Sequence, residues 1–324
     1  MTAFDPFESF GDLDEISDRL QSPDPAVRRL AVIDLVETST DATVPLLARA
    51  AADTDSRVRL QAARALGDFD GVKVAEALVR VLVDADVEVA KAAAGSLAEL
   101  RTPAASATLL PLLDHSSSFV RAAILRALKA LQVGASLGPA IAALDDHDPG
   151  VRVQAVGVIG YLKLIEALPS LIHATKDGHP DVRLAAVDAL SFARNEAAAQ
   201  AAAAAALSDS EWQVRAVAAE TIGRIGQGPG AAALTVALND SYWQVRQKAL
   251  QSLGKLRFRG AVGAIAPFLD DELPSLRKDA AAALGEIADP CARDALVARA
   301  RDYDPDVRKT VNWALQQIEA RLNP

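Results

Sequence analysis

The chain has 324 residues, 51% hydrophobic and 24% charged, with 34 basic against 43 acidic side chains and a net charge of -9. Alanine, leucine and valine carry the apolar share while aromatics reach only 4%, so helix formers dominate. No uncharged apolar run approaches the roughly 18 residues of a membrane span. The acidic balance opposes non-specific nucleic-acid binding, and a single cysteine, Cys291, excludes an intramolecular disulfide framework or a multi-cysteine zinc site.

Residues 1–11 hold Phe4, Phe7 and Phe10 beside Asp5 and Glu8, with no basic residue. They read as an apolar segment capping the end of a stack and not as a secretory signal. From residue 12 the chain repeats itself. Val-Arg or a close variant falls at Val27, Val58, Val89, Val120, Val151, Val182, Val214, Val245, Leu276 and Val307, spaced by 31 residues except for one step of 32. Counted from that residue, a mostly small side chain stands at offset 4 (Ala31, Ala62, Ala93), leucine or isoleucine at 8, and another apolar residue at 11, which is one stripe of an α-helix. A second apolar column lies eleven residues earlier (Ile16, Leu47, Leu78), so each unit is predicted as a hairpin of a first and a second helix. Asp24-Pro25, Asp148-Pro149 and Asp304-Pro305 place a capping carboxylate before a proline at the start of the second helix. Gly67, Gly160, Gly223, Gly254 and Gly285 recur near its end, where a missing side chain permits close approach to a neighbour. One hairpin cannot bury its own apolar face, so neighbours must stack. The expected fold is all-α: an α-solenoid of about ten stacked hairpins over residues 12–319, a HEAT-like superhelix, with a tail at 320–324.

At these residues the chain resembles the HEAT-repeat family, in particular the short 31-residue class called phycobilisome-lyase HEAT-like repeats. The marks are the aspartate five residues before the valine (Asp53, Asp84, Asp146, Asp177, Asp209, Asp240, Asp271, Asp302) and the arginine after it; Ser22 and His115 replace the aspartate, and Ala90 the arginine. The resemblance implies a ladder of charge-assisted hydrogen bonds between these columns. It also implies protein-binding scaffolds, bilin lyases or an iron-dependent hydroxylase as functions. The hydroxylase is excluded, because it uses His-Glu dipeptides and none occurs here.

By the same resemblance, offsets 3, 6 and 10 of the second helices line a concave face. Its middle carries Tyr161 and Phe192 in consecutive repeats, flanked by Arg126 and Arg224, an aromatic floor with basic rims that suits an amphipathic ligand or a partner's helix. A second candidate is the pair Trp212 and Trp243 at one repeat position, with Tyr242 alongside. Residues 211–260 hold seven basic side chains against three acidic ones, Lys255 and Arg257 among them, so this edge reads as electropositive and suited to an acidic partner. His115, His147, His179 and Cys291 read as structural, and no nucleophile, phosphate-loop or metal motif is present. The expectation is a cytoplasmic, non-catalytic protein-binding scaffold or assembly and maturation factor without cofactor, away from nucleic acid and membrane, whose partner is a protein with an acidic or amphipathic surface. The alternative is a bilin lyase or chromophore-handling protein holding a linear tetrapyrrole.

Overall fold

The computed structural model describes residues 13–38, 42–226 and 228–322; the segment carrying Phe4, Phe7 and Phe10 lies outside them. The described residues form helices without strands, arranged as hairpins whose second helices include Pro25–Thr38, Ser56–Ala65, Ser118–Leu131, Pro180–Ala189, Trp212–Ile225, Trp243–Lys255 and Pro274–Ile287. The last, Pro305–Leu322, runs on into the stretch set apart as a tail. None of the described helices is long and apolar enough to cross a membrane. Two compact units part between Leu162 and Lys163. In each, successive second helices pack side by side over their first helices, which is α-solenoid architecture.

The periodic columns are the core. Ala31, Ala62, Ala93, Ala186, Ala218, Ala249 and Ala280 are fully buried, as are Leu47, Leu78, Leu109, Leu171 and Leu234 of the first helices. Some first helices tighten midway: Ser106–Leu109 passes into a 3-10 segment at Pro111, and Val262–Ile265 does so at Pro267. Proline lacks the N–H that an α-turn needs and crowds the carbonyl four residues back.

A ladder of ion pairs fixes how hairpins stack. Arg59 donates through Nε and Nη2 to both oxygens of Asp84, at 2.6 and 2.9 Å. Its Nη1 reaches back to the carbonyls of Asp53 and Thr54 in its own loop. Asp84 also accepts the Asp86 N–H at 2.8 Å, so one rung satisfies two loops together. Arg28 with Asp53 and Arg121 with Asp146 repeat this geometry in the first unit. Arg183 with Asp209, Arg215 with Asp240, and Arg277 with Asp302 repeat it in the second.

Two irregularities are informative. Ala90 and His115 stand where a rung's arginine and aspartate would be, so both charges are absent together and neither is left buried alone. His115 keeps the loop role, accepting the Ser117 N–H through Nδ1 at 3.0 Å. At Arg246 and Asp271 both residues are present, yet the rung is not made. Arg246 holds only the carbonyls of Asp240 and Ser241, and Asp271 accepts the Leu273 N–H. The ladder that the resemblance implies is thus interrupted at a rung where both residues are present; nothing in the surrounding structure explains this gap.

The late glycines do mark close approach. A Cβ on Gly285 would lie 2.8 Å from the Ala314 Cα and 2.5 Å from the Trp313 ring, and one on Gly254 would lie 2.8 Å from the Ala283 Cα. Gly95, in contrast, faces open space. Gly285→Ala is therefore expected to destabilise by about 1–3 kcal/mol, whereas Gly95→Ala is expected to stabilise by about 0.5–1 kcal/mol. Denaturant unfolding of the two variants checks this; equal effects would contradict the packing.

The bond from arginine holds the carboxyls of Asp84, Asp146, Asp209 and Asp240 below the ordinary aspartate range. A carboxyl lowered in the folded state contributes stability that is complete above its unfolded pKa, about 3.9, and is lost as pH falls through the folded value. The melting temperature is thus expected to hold down to about pH 5 and to fall progressively below about pH 4. A flat profile to pH 2 would remove the ladder from the account of stability.

Candidate functional site

In the first unit the second helices present Arg126 and Tyr161. Tyr161, near the end of Pro149–Leu162, is 51% exposed, so its ring does not fold back into the core. Arg126 is anchored: Nη2 donates to the Ala94 carbonyl of the preceding second helix at 2.8 Å. Beside it lies an open cavity of about 320 Å³ lined by Lys91, Phe119, Arg126 and Gln154 over an alanine floor. Phe119 is exposed and was missed by sequence reasoning. Its signal is a large apolar side chain in a helix's first turn, after a run of serines.

In the second unit Phe192 closes the 3-10 turn Leu190–Phe192 and is half-buried. Arg224 is not a free basic rim. Its guanidinium is shared between Asp188, at 2.8 Å, and Glu220, which also takes Lys248 at 2.7 Å. Lys248 first, then Arg224, holds the Glu220 carboxyl below its ordinary range. Further along, Gln247 and Gln251 both donate to Asp279. The face is a chain of compensated charges, where the sequence suggested a basic frame.

Trp212 and Trp243 open the helices Trp212–Ile225 and Trp243–Lys255. Trp212 is half-buried and stacks on Tyr242, with ring centroids 5.5 Å apart and planes 14° from parallel. The Arg215 guanidinium lies 5.6 Å from the Tyr242 centroid. Trp243 is 41% exposed. The tryptophans do not fill the space beside the alanine-rich helix Ala197–Ala206: an open groove of about 490 Å³ runs between it and Leu168–Ala174.

Lys255 and Arg257 do not share this patch. Lys255 ends the 13-residue helix that Trp243 begins, and Arg257 follows at φ 49°. At 1.5 Å per residue the two ends stand about 18 Å apart. The basic pair faces Glu286, whose carboxyl is pushed up by burial and drawn down by Lys255 and Arg257. With Arg215 tied to Asp240, Arg224 to Asp188 and Glu220, and Arg259 within 3.8 Å of Asp289, most of the basic stretch is compensated. The electropositive aromatic edge is corrected to an aromatic edge whose basic neighbours are largely paired or distant, with Arg246 resting on loop carbonyls.

The remaining candidates take structural roles. His179 caps Pro180–Ala189 through Nδ1. Cys291 is exposed, and Asp289 pushes its thiol up, away from the reactive thiolate.

A family model described as HEAT repeats matches residues 13–94, 78–138, 137–223 and 231–316. No curated protein matches the chain. Among solved structures, an engineered protein is 21% identical over 95% of this chain and 99% of its own, with a TM-score of 0.53. Kap95p, in a structure concerned with RanGDP, is 14% identical with a TM-score of 0.61, and the Kap95:Nup1 complex gives 14% and 0.64. Each covers 94% of this chain, which spans half of the Kap95 chain. At these identities the likeness is one of fold.

Stacked rings contribute beyond the area they bury, by about 0.5–1.5 kcal/mol. Trp212→Ala and Tyr242→Ala are therefore expected to couple by that amount in a double-mutant cycle of unfolding free energies. Additive effects would show that the two rings lie side by side without interacting.

Proposed function

The chain belongs to the HEAT-repeat family, and from that premise we propose that it is a non-catalytic protein-binding scaffold or assembly factor. It engages partners through the second-helix faces carrying Tyr161 and Arg126 in one unit and Phe192 in the other, and through the edge at Trp212, Tyr242 and Trp243. The observation that carries this reading is exposed aromatic surface: Tyr161 and Trp243 face solvent, as does part of Tyr242 despite its stacking on Trp212. Aromatics so placed are favoured hot spots in protein interfaces. Kap95p, with the same fold, binds RanGDP and forms a complex with Nup1. A partner with an amphipathic surface fits best, since apolar rings here alternate with ion pairs of both signs. Within residues 211–260 the cations outside an ion pair are Lys255 and Arg257 at the far helix end and Arg246, which rests on loop carbonyls.

The 31-residue step of the repeat is what favours the phycobilisome-lyase-like class, and with it a second reading as a chromophore-handling protein. The two readings separate in one experiment. The tagged full chain, cross-linked in extract of its native organism, is expected to retain a specific protein. Tyr161→Ala and Trp243→Ala are each expected to weaken that partner's affinity by about 1 kcal/mol or more, roughly fivefold, at unchanged melting temperature. A titrated linear tetrapyrrole is expected to keep its visible spectrum. A stoichiometric spectral shift with no retained protein would transfer the assignment to the second reading.

A further inference from the structure

Second helices in this chain begin by a common rule that Ser118–Leu131 breaks once and three consecutive later ones break in succession. At Asp24, Asp55, Asp86 and Asp148 a side-chain oxygen accepts the N–H two residues on, the preferred way to satisfy a helix start. The equivalent residues of the second unit's later hairpins are Glu211, Tyr242 and Leu273, and none makes a side-chain cap. Local rules broken without local gain mark functional positions.

What stands there, or one residue to either side of the equivalent position, is exposed apolar surface. Tyr242, Trp243 and Leu273 are exposed, and in the next loop Tyr303 is 74% exposed. With Trp212 stacked on Tyr242, the row crosses four consecutive hairpins. At about 10 Å between packed helices it extends on the order of 30 Å, the reach of about nine residues of extended chain.

Around this row Glu211 and Glu272 are exposed, while the two arginines without a carboxylate partner, Arg246 and Arg308, are half-buried against loop carbonyls. Arg215 and Arg277 lie under the rings of Tyr242 and Tyr303, at 5.6 and 4.4 Å, and are committed to Asp240 and Asp302. Arg246 is held over the loop carbonyls of Asp240 and Ser241. Neither the Glu211 nor the Glu272 carboxylate forms an ion pair among the described residues, although Arg183 lies near enough to Glu211 to interact through space.

We propose that this edge docks an extended basic segment of a partner protein, its Lys or Arg side chains reaching Glu211 and Glu272 and its apolar side chains packing on Trp243, Leu273 and Tyr303. Cations also gain from the exposed ring faces, and the carboxylates select against acidic segments. The proposal rests on the reading of the chain as a protein-binding module and gives its edge a ligand class.

The test uses the full chain and a fluorescein-labelled peptide of alternating Arg and Leu, about nine residues long, with its Glu-Leu counterpart as control. Anisotropy is expected to show the Arg-Leu peptide binding at least roughly tenfold tighter than the control and weakening with salt. Leu273→Asn and Tyr303→Ser are each expected to lower its affinity by about fivefold. Because Leu273→Asn restores a cap without adding charge, it is expected to leave the melting temperature unchanged or raised by roughly 1–3 °C. Glu211→Lys with Glu272→Lys is expected to reverse the preference between the peptides. Equal binding of both peptides, no response to Leu273→Asn, or a falling melting temperature in step with lost binding would each overturn the proposal. Failure here with retention of a native partner by the Tyr161 face would leave the scaffold reading standing; loss of all partner retention would remove both.

Discussion

A hairpin of two short helices has nowhere to put its apolar stripe except against another hairpin, and apolar contact alone sets no register between them. The arginine that follows each repeat's valine supplies that register. Its fork takes both oxygens of the next repeat's aspartate while its third nitrogen ties two carbonyls of its own loop, as Arg59 does with Asp84, Asp53 and Thr54. The planar guanidinium fits this bidentate task, and a lysine could not replace it. Since the pair is largely shielded from solvent, down to 3% and 1% side-chain exposure at Arg277 and Asp302, losing one partner would strand the other's charge. The joint absence of arginine and aspartate at Ala90 and His115 is what that cost demands.

Once the ladder and the alanine and leucine columns hold the stack, the loop edges and the outer faces of the second helices are free to vary. The first unit caps four of its five second helices, through Asp24, Asp55, Asp86 and Asp148, and leaves the one carrying Phe119 without a side-chain cap. The second unit gives up three caps in succession and carries aromatic and aliphatic side chains there. Stability sits in columns that repeat, and specificity in positions that depart from the repeat. This division explains why the Asp and Arg columns are not an anion track, although they place basic side chains in register along the chain.

Charge shows most plainly where linear reading misleads. Seven basic side chains between residues 211 and 260 look like one patch when summed along the chain. In space they divide among a ladder rung, the open rung where Arg246 holds loop carbonyls, the cluster of Asp188, Arg224, Glu220 and Lys248, and a helix end about 18 Å from Trp243. Arg224 meets a carboxylate 36 positions away, and only the side-by-side packing of second helices brings the two together.

The sequence by itself determined the period, the hairpin, the buried columns, the capping aspartates before proline and the existence of the Asp and Arg columns, whose role as rungs was what the family resemblance implied. All but that role follow from spacing along one helix or from a fixed offset to the next repeat, and a repeating chain states these quantities many times over. The tertiary structure decided which side chains are spent and which remain available: that Tyr161 and Trp243 are exposed, that Trp212 leans on Tyr242, that Arg224 is neutralised, that the Arg246 rung stays open, and that Leu273 and Tyr303 extend the aromatic row. These depend on how far flexible side chains reach between neighbouring elements and on what covers them there. Spacing along a single chain carries no record of either.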